Sequence, residues 1–516
     1  MTIGRTQSVA LLGVDAVLVE VEADIASGLP RFTVVGLPDR SLTESADRVR
    51  SAIVNSGVPM PSQRVTVNLS PASLPKAGAG FDLAIAIAAL SAAGVIAQNA
   101  AHGVVHVGEL ALDGRLRPTA GVLPGVLGAK KAGVTRVVVP AANAREAGLV
   151  TGVQVFAAAS LRDVLIAHGA RLAPVPVTPL LLPSEGVTER VVTDLSDVVG
   201  QPDAVEALVA VAAGGHHLSM TGPPGSGKTM LASRLPGILP PLSMNAALEA
   251  TSIQSLATGH GASSLINEAP FITPHHTASA VSLIGGGTGI PRPGAIARAH
   301  HGVLFLDEAP EFSQHALDCL RQPLESGDVV IHRAAYTARF PARFMLVLAA
   351  NPCPCGGQSV ELSAGAARSS DKCTCTPAAV KRYHARVSGP LADRIDIHIR
   401  VSRVSAARLR LGNDQPMTTA IARAKVLEAR RIAAERFGAL GYASNSEVPG
   451  RTLRGAPWRL PTSITGLIDR GLDSGVLTMR GFDRTLRLAW TLADLDGATI
   501  PSRDHIAKSH LLRTGM

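Results

Sequence analysis

LSMTGPPGSGKTMLASRL, residues 218–235, joins a short apolar run to a helical pattern through a glycine-rich turn. The spacing Gly222-x4-Gly227-Lys228-Thr229 is that of a phosphate-binding loop, and its place between a strand and a helix predicts a parallel-sheet α/β core. Glycines let backbone N–H groups wrap phosphates at a helix N-terminus. Gly222, Pro223, Pro224, Gly225, Ser226, Gly227, Lys228 and Thr229 are therefore the expected ATP contacts, with Lys228 on the β/γ-phosphates and Thr229 a ligand of Mg²⁺.

Downstream, GVLFLDEAPEF carries four apolar residues, Val303 to Leu306, that deliver Asp307 and Glu308 at a strand tip, where α/β sheets bind ligands. Asp307 is expected to hold Mg²⁺ through water, and Glu308 to orient or deprotonate an attacking water. The pair beside a phosphate loop points to hydrolysis rather than binding alone. RFMLVLAAN reads as the next buried strand, with Asn351 at its tip placed to sense the γ-phosphate. SGPLADRIDIHI sets Arg394 between Asp393 and Asp396. It reads either as a local ion pair or as an arginine finger reaching a neighbouring subunit, which would require a ring or filament.

The chain of 516 residues is too long for one core, and 46% hydrophobic content says that it folds. Residues 1–172 alternate strand-like runs (RVTVNLS, VTRVVVP) with Ala-rich helical ones, predicting a separate α/β domain. The apolar run Leu83 to Ala97 is shorter than a membrane span and predicts a buried helix. A Pro-rich linker is expected over 173–193, the ATPase core over 194–402 and a basic helical domain over 403–516. That last quarter holds eighteen Lys+Arg against ten Asp+Glu, nearly all of the chain's net +9, and favours a polyanion partner. Without a basic leader or a membrane span, the expected address is the cytoplasm.

Four of the five cysteines, Cys353, Cys355, Cys373 and Cys375, fall in one loop behind Asn351. In a reducing compartment this Cys-x-Cys…Cys-x-Cys pattern suggests a structural Zn²⁺ site rather than disulfides, although its spacing is tighter than usual. Free thiols or a redox pair are the alternatives. Three His-His pairs, 216–217, 275–276 and 300–301, are expected to be solvated or hydrogen-bonded, because neighbours on a helix or strand point apart and make poor joint ligands.

GQPDAVEALVAVAAGGHHLSMTGPPGSGKTMLASRLPGILPPL (200–242), PFITPHHTASAVSLIGGGTGIPRPGAIARAHHGVLFLDEAPEF (270–312), LRQPLESG (320–327), ANPCPCG (350–356) and RVSGPLADRIDIHI (386–399) together closely resemble the ComM/YifB group of magnesium-chelatase-like AAA+ ATPases. The resemblance implies an AAA+ core with a helical lid, Arg394 as the finger, and Arg480 in TMRGFDRTLRLAW as the sensor-2 arginine, with Arg484 and Arg487 on the same helix. It also implies a hexameric DNA helicase that promotes branch migration in natural transformation, with recombination proteins as further partners. By the same resemblance ESGDVVIHRAAYTARFPARF (325–344) is a pore hairpin, making Arg333, Arg339 and Arg343 candidate DNA contacts. GGGTGIPRPG (285–294) would belong to a second pore loop.

The segments LPKAGAGFDLAIAIAAL (74–90) and HVGELALDGRLRPTAGVLPGVLGAKKAG (106–133) resemble the Lon-protease-like (ribosomal S5 domain 2-like) fold. The positions of that family's nucleophilic serine and catalytic lysine fall near Gly80 and Leu123, which supply neither hydroxyl nor amine. Ser73, Lys76 and Lys130 are close in sequence at the wrong spacing. Peptidase activity is therefore not expected. A chelatase-like or chaperone-like ATPase that remodels a protein, or an assembly factor switched by ATP, remain the rival readings.

Overall fold

Val303–Leu306 and Met345–Ala350, both wholly buried, pair in parallel at the centre of a five-stranded sheet. Burial on both faces explains why they read as unbroken apolar runs. The strand order is 271–272, 303–306, 345–350, 218–221, 397–400, all parallel. The strand Leu218–Thr221 that feeds the glycine loop thus lies beside the strand ending at Asn351. The computed structural model describes every residue except 1–2, 37–39, 73, 75, 77, 181–192, 260, 288–290, 334–336, 357–372, 388, 405–415 and 516, together with the side chains of 40–43 and 79. Most of the expected linker and the centre of the cysteine loop therefore lie outside the described residues.

The N-terminal part forms a seven-stranded mixed sheet in the order 31–35, 64–70, 15–26, 3–12, 104–106, 136–140, 154–158. A long antiparallel hairpin, Ile3↔Asp24 to Leu12↔Asp15, forms its middle. The apolar run from Leu83 becomes the helix Asp82–Ala92, every residue of it buried. Among the described residues no helix is long and apolar enough to cross a membrane.

Beyond the core sheet the chain is helical. Thr419–Phe437 is capped by the Thr418 side chain, which accepts from the Ile421 N–H. Met479–Leu495 packs its apolar face inward, and Phe437, Trp458 and Trp490 meet edge to face at centroid distances of 4.9–6.3 Å. This lid is tied to the core by His216 Nε2 to Thr491 Oγ1 at 2.8 Å and by Arg484 to the buried Asp396.

The N-terminal sheet also docks on the core. Gly13, at the tip of the long hairpin, forms a parallel bridge with Arg339, and the Ser255 hydroxyl donates to the buried carboxylate of Glu146. A cavity of about 270 Å³ remains between the two parts, lined in part by Asp15, Lys131, Glu249, Ser252, Asp328 and Arg339.

Candidate nucleotide site and the elements around it

Gly227 caps the helix Lys228–Ile238 with a left-handed backbone (φ 92°), so the loop residues precede the first turn and leave its N–H groups facing the loop. The Lys228 amine donates to Gly222 O at 2.6 Å, Pro223 O at 3.0 Å and Asn351 Oδ1 at 3.2 Å. Burial pushes that amine below its ordinary range, against the opposing pull of Asp307 and Glu308. The Thr229 hydroxyl donates to Asp307 Oδ2 at 2.7 Å. The two expected Mg²⁺ ligands therefore meet, as do the phosphate lysine and the sensor asparagine. The buried Ser226 Oγ has no hydrogen-bond partner among the described residues, as expected for a hydroxyl facing a ligand. These residues fit ATP with Mg²⁺.

Glu308 sits in the left-handed region at φ 51°, ψ 43°, which is costly for a side chain other than Gly. Its Oε2 lies 3.5 Å from His276 Nδ1. The sequence reading assigned His276 no role. Its place in PHHTAS was the available signal, and its partner lies 32 residues away.

Arg394 is 9% exposed, and its partner is neither Asp393 nor Asp396. The guanidinium reaches Pro390 O and the Glu325 carboxylate. Asp396 is engaged by Arg484 instead: burial alone would raise its pKa, but Arg484 and His216 hold it well below the usual carboxylate range. Arg487 donates to Val448 O. Arg480 is 67% exposed and lies 4.0 Å from the same Glu325 carboxylate. The candidate finger and the candidate sensor-2 arginine thus converge on one acid, away from the contacts of this chain's Lys228.

The expected hairpin pairs Asp328–His332 with Thr337–Pro341. Arg333 follows the first strand, exposed, and donates to Gly287 O, so the two expected pore loops touch. Arg339 lies on the second strand, bonded to Asp328. Arg343 lies past the hairpin, contrary to its expected place along it, with its backbone N–H on His300 Nδ1.

His216 and His217 are hydrogen-bonded, one of the two expected states: His216 is buried with its Nε2 at Thr491 Oγ1, and burial pushes His217 down to about 4 while its Nδ1 accepts from the Leu346 N–H. The expectation that neighbouring histidines point apart fails at one pair. His301 has φ 59°, which turns two neighbours onto one target: both Nε2 atoms reach Glu249 Oε2, at 3.1 and 2.8 Å. The group has the composition of a metal site, but the Arg343 N–H occupies Nδ1 of His300 at 3.0 Å, which leaves its proton on Nε2. A metal would need that lone pair. Hydrogen bonds from His300 and His301 hold Glu249 well below the usual carboxylate range, and burial lowers His300.

In the N-terminal sheet, Gly80 lies in a 3₁₀ turn and Leu123 is fully buried in the helix Val122–Lys131. Lys76 is buried, donating to Pro71 O at 2.6 Å and Leu74 O at 3.1 Å, and Ser73 lies outside the described residues.

The model of the magnesium chelatase subunit ChlI matches residues 194–409, that of its C-terminal part 416–513, and that of subunit ChlI of Mg-chelatase 21–143. Competence protein ComM of Haemophilus influenzae is 39% identical over 510 residues, covering 99% of this chain and 97% of that protein. The chain belongs to the ComM/YifB family of magnesium-chelatase-like proteins. YifB of Escherichia coli is 38% identical over 99% of this chain and 96% of its own. An uncharacterised family member of Mycobacterium tuberculosis is 45% identical over 98% of each. Membership of this AAA+ family implies ATP and Mg²⁺ as cofactors.

Proposed function

We propose that the chain is an ATP-hydrolysing subunit of a ring, a hexamer, that moves on DNA and promotes branch migration when incoming DNA is integrated in natural transformation. The observation that carries hydrolysis is the meeting of Lys228 with Asn351 and of Thr229 with Asp307 at one end of the parallel sheet. Lys228 would bind the β/γ-phosphates, Glu308 would take the proton of the attacking water, and Arg394 would complete a neighbour's site. Thr229 and Asp307 would hold Mg²⁺, which would supply charge neutralisation on the phosphates.

Full-length identity to a competence protein supports the DNA role, as do the exposed Arg333 and the basic last quarter. The N-terminal part would be a Lon-protease-like scaffold without peptidase chemistry, and the four thiols would hold one structural Zn²⁺. The matches to a magnesium chelatase subunit favour the second reading, an ATPase that remodels a protein.

ATP turnover measured with and without single-stranded and forked DNA separates the two. Stimulation by DNA is expected, with movement of a branched substrate abolished by Lys228→Ala and by Glu308→Gln. Failure to bind either form of DNA at low salt would end the DNA reading.

A further inference from the structure

Residues 353–356 and those that follow Cys373 lie against the expected nucleotide site rather than apart from it. Sγ distances are 3.3 Å for Cys353–Cys355, 3.4 Å for Cys353–Cys373 and 3.6 Å for Cys355–Cys373, and all four sulfurs lie within 4.8 Å of one another. A disulfide would need about 2.05 Å. A tetrahedral ion with metal–sulfur bonds of about 2.3 Å would place the sulfurs about 3.8 Å apart, close to what is found. Four thiolates and no open position describe a closed structural site, and a soft ligand set selects zinc over the harder cations.

Two contacts carry this site into the ATP machinery. Gly356, the residue after Cys355, has φ 71°, and a Cβ there would come within 2.7 Å of Pro224 Cγ. Its backbone therefore lies directly against the second proline of the phosphate loop, at a distance that only glycine permits. On the other side, Cys375 is followed by Thr376, whose side chain caps the helix Pro377–Ala385. From that helix His384 Nε2 donates to Pro352 O, the residue after Asn351, at 2.9 Å. The two Cys-x-Cys pairs are thus the points at which the phosphate-loop contact and the helix bonded beside Asn351 are joined.

We propose that a zinc ion bound by Cys353, Cys355, Cys373 and Cys375 locks Pro224 and Asn351 into register, so that metal loading sets the affinity of this subunit for nucleotide. The proposal rests on reading residues 222–229 as the ATP site. With the metal in place the two Cys-x-Cys pairs are held together and the phosphate loop is braced from outside. Without it, Gly356 and the helix after Cys375 are no longer held together, and both contacts loosen.

The test uses the full-length protein purified without added metal, with zinc counted by elemental analysis and binding of a fluorescent ATP analogue as the readout. About one zinc per chain is expected. Removal by a chelator, or in Cys373→Ser/Cys375→Ser, should weaken nucleotide binding at least about tenfold, and returning zinc to the stripped wild type should restore it. Gly356→Ala keeps every thiol and should retain zinc, yet weaken binding by displacing Pro224. It decides the matter if the cysteine variant fails to fold.

Zinc present with unchanged affinity on stripping, or full affinity in Gly356→Ala, overturns the coupling. Protein without zinc and with Cys353, Cys355, Cys373 and Cys375 all titratable as thiols overturns the site. Zinc-loaded protein that binds no nucleotide, like a Lys228→Ala control, faults the nucleotide reading instead.

Discussion

His276 and Glu308 face one another at 3.5 Å, imidazole Nδ1 to carboxylate Oε2, with Glu308 turned toward that partner by a left-handed backbone. Both groups are substantially exposed, so their Coulomb energy is small and the contact matters for position. His276→Ala is expected to lower ATP turnover by about tenfold while nucleotide affinity stays within about twofold. His276→Gln, which can still donate to the carboxylate, should recover most of the rate. Equal turnover in wild type and His276→Ala would show that the contact is incidental.

Asn351 accepts from the Lys228 amine at 3.2 Å, so loss of its amide frees a cation that must already lie near the phosphates. Asn351→Ala should reduce hydrolysis by about 100-fold with nucleotide binding nearly unchanged. Single-turnover kinetics beside equilibrium binding will show the split, and a parallel fall in both would mark Asn351 as a structural residue.

Arg394 and Arg480 both turn toward Glu325, and the Arg394 Nε is buried without a partner among the described residues. Because the Glu325 side chain is about half exposed, Glu325→Ala should cost only about 1 kcal/mol in chemical denaturation. If Arg394 serves a neighbour's site, mixtures of Arg394→Ala and Lys228→Ala subunits should regain turnover that neither has alone. Failure of every mixture to exceed its parents would place the arginine's role within its own chain.

His106 is fully buried, with Thr6 on Nδ1 and His168 on Nε2, each at 2.8 Å, and burial with the neighbouring His168 pushes it down to about 3. A histidine whose folded pKa lies below its unfolded value is neutral in the fold but protonated in the unfolded chain between about pH 6.5 and 3. Its contribution to stability is thus intact above about pH 6.5 and declines by about 1.4 kcal/mol per pH unit below that. Urea unfolding at several pH values should show a shallower acid dependence in His106→Gln than in wild type. Identical slopes would mean that His106 is protonated in the fold.

The parts of the site that were legible in sequence are those whose chemistry is set by local spacing. The glycines of 222–227, the Asp307-Glu308 tip and Asn351 each follow an apolar run, and strand ends in a parallel sheet must gather at one edge. Partnerships across the chain were not legible. Arg394 had two acids beside it in sequence and took Glu325, 69 residues away, because Asp396 was already committed to Arg484. His300 and His301 converge only because His301 adopts a positive φ, which its residue type does not announce. The contact of Gly356 with Pro224 joins two motifs, each of which reads as complete by itself.

The bridge between Gly13 and Arg339 fixes one point of the hairpin 328–341. A Cβ on Gly13 would fall 2.2 Å from the Arg339 carbonyl oxygen, so the N-terminal sheet grips the hairpin midway along its second strand, opposite Val330. Arg333 follows the first strand, toward the far end. From Val330 to Arg333 the chain extends about 10 Å, which makes the hairpin a lever with its fulcrum on the N-terminal sheet. Under the DNA-motor proposal a swing of roughly 20° would carry Arg333 about 3.4 Å, the rise of one nucleotide. The N-terminal sheet would then act as the bearing against which each step is taken.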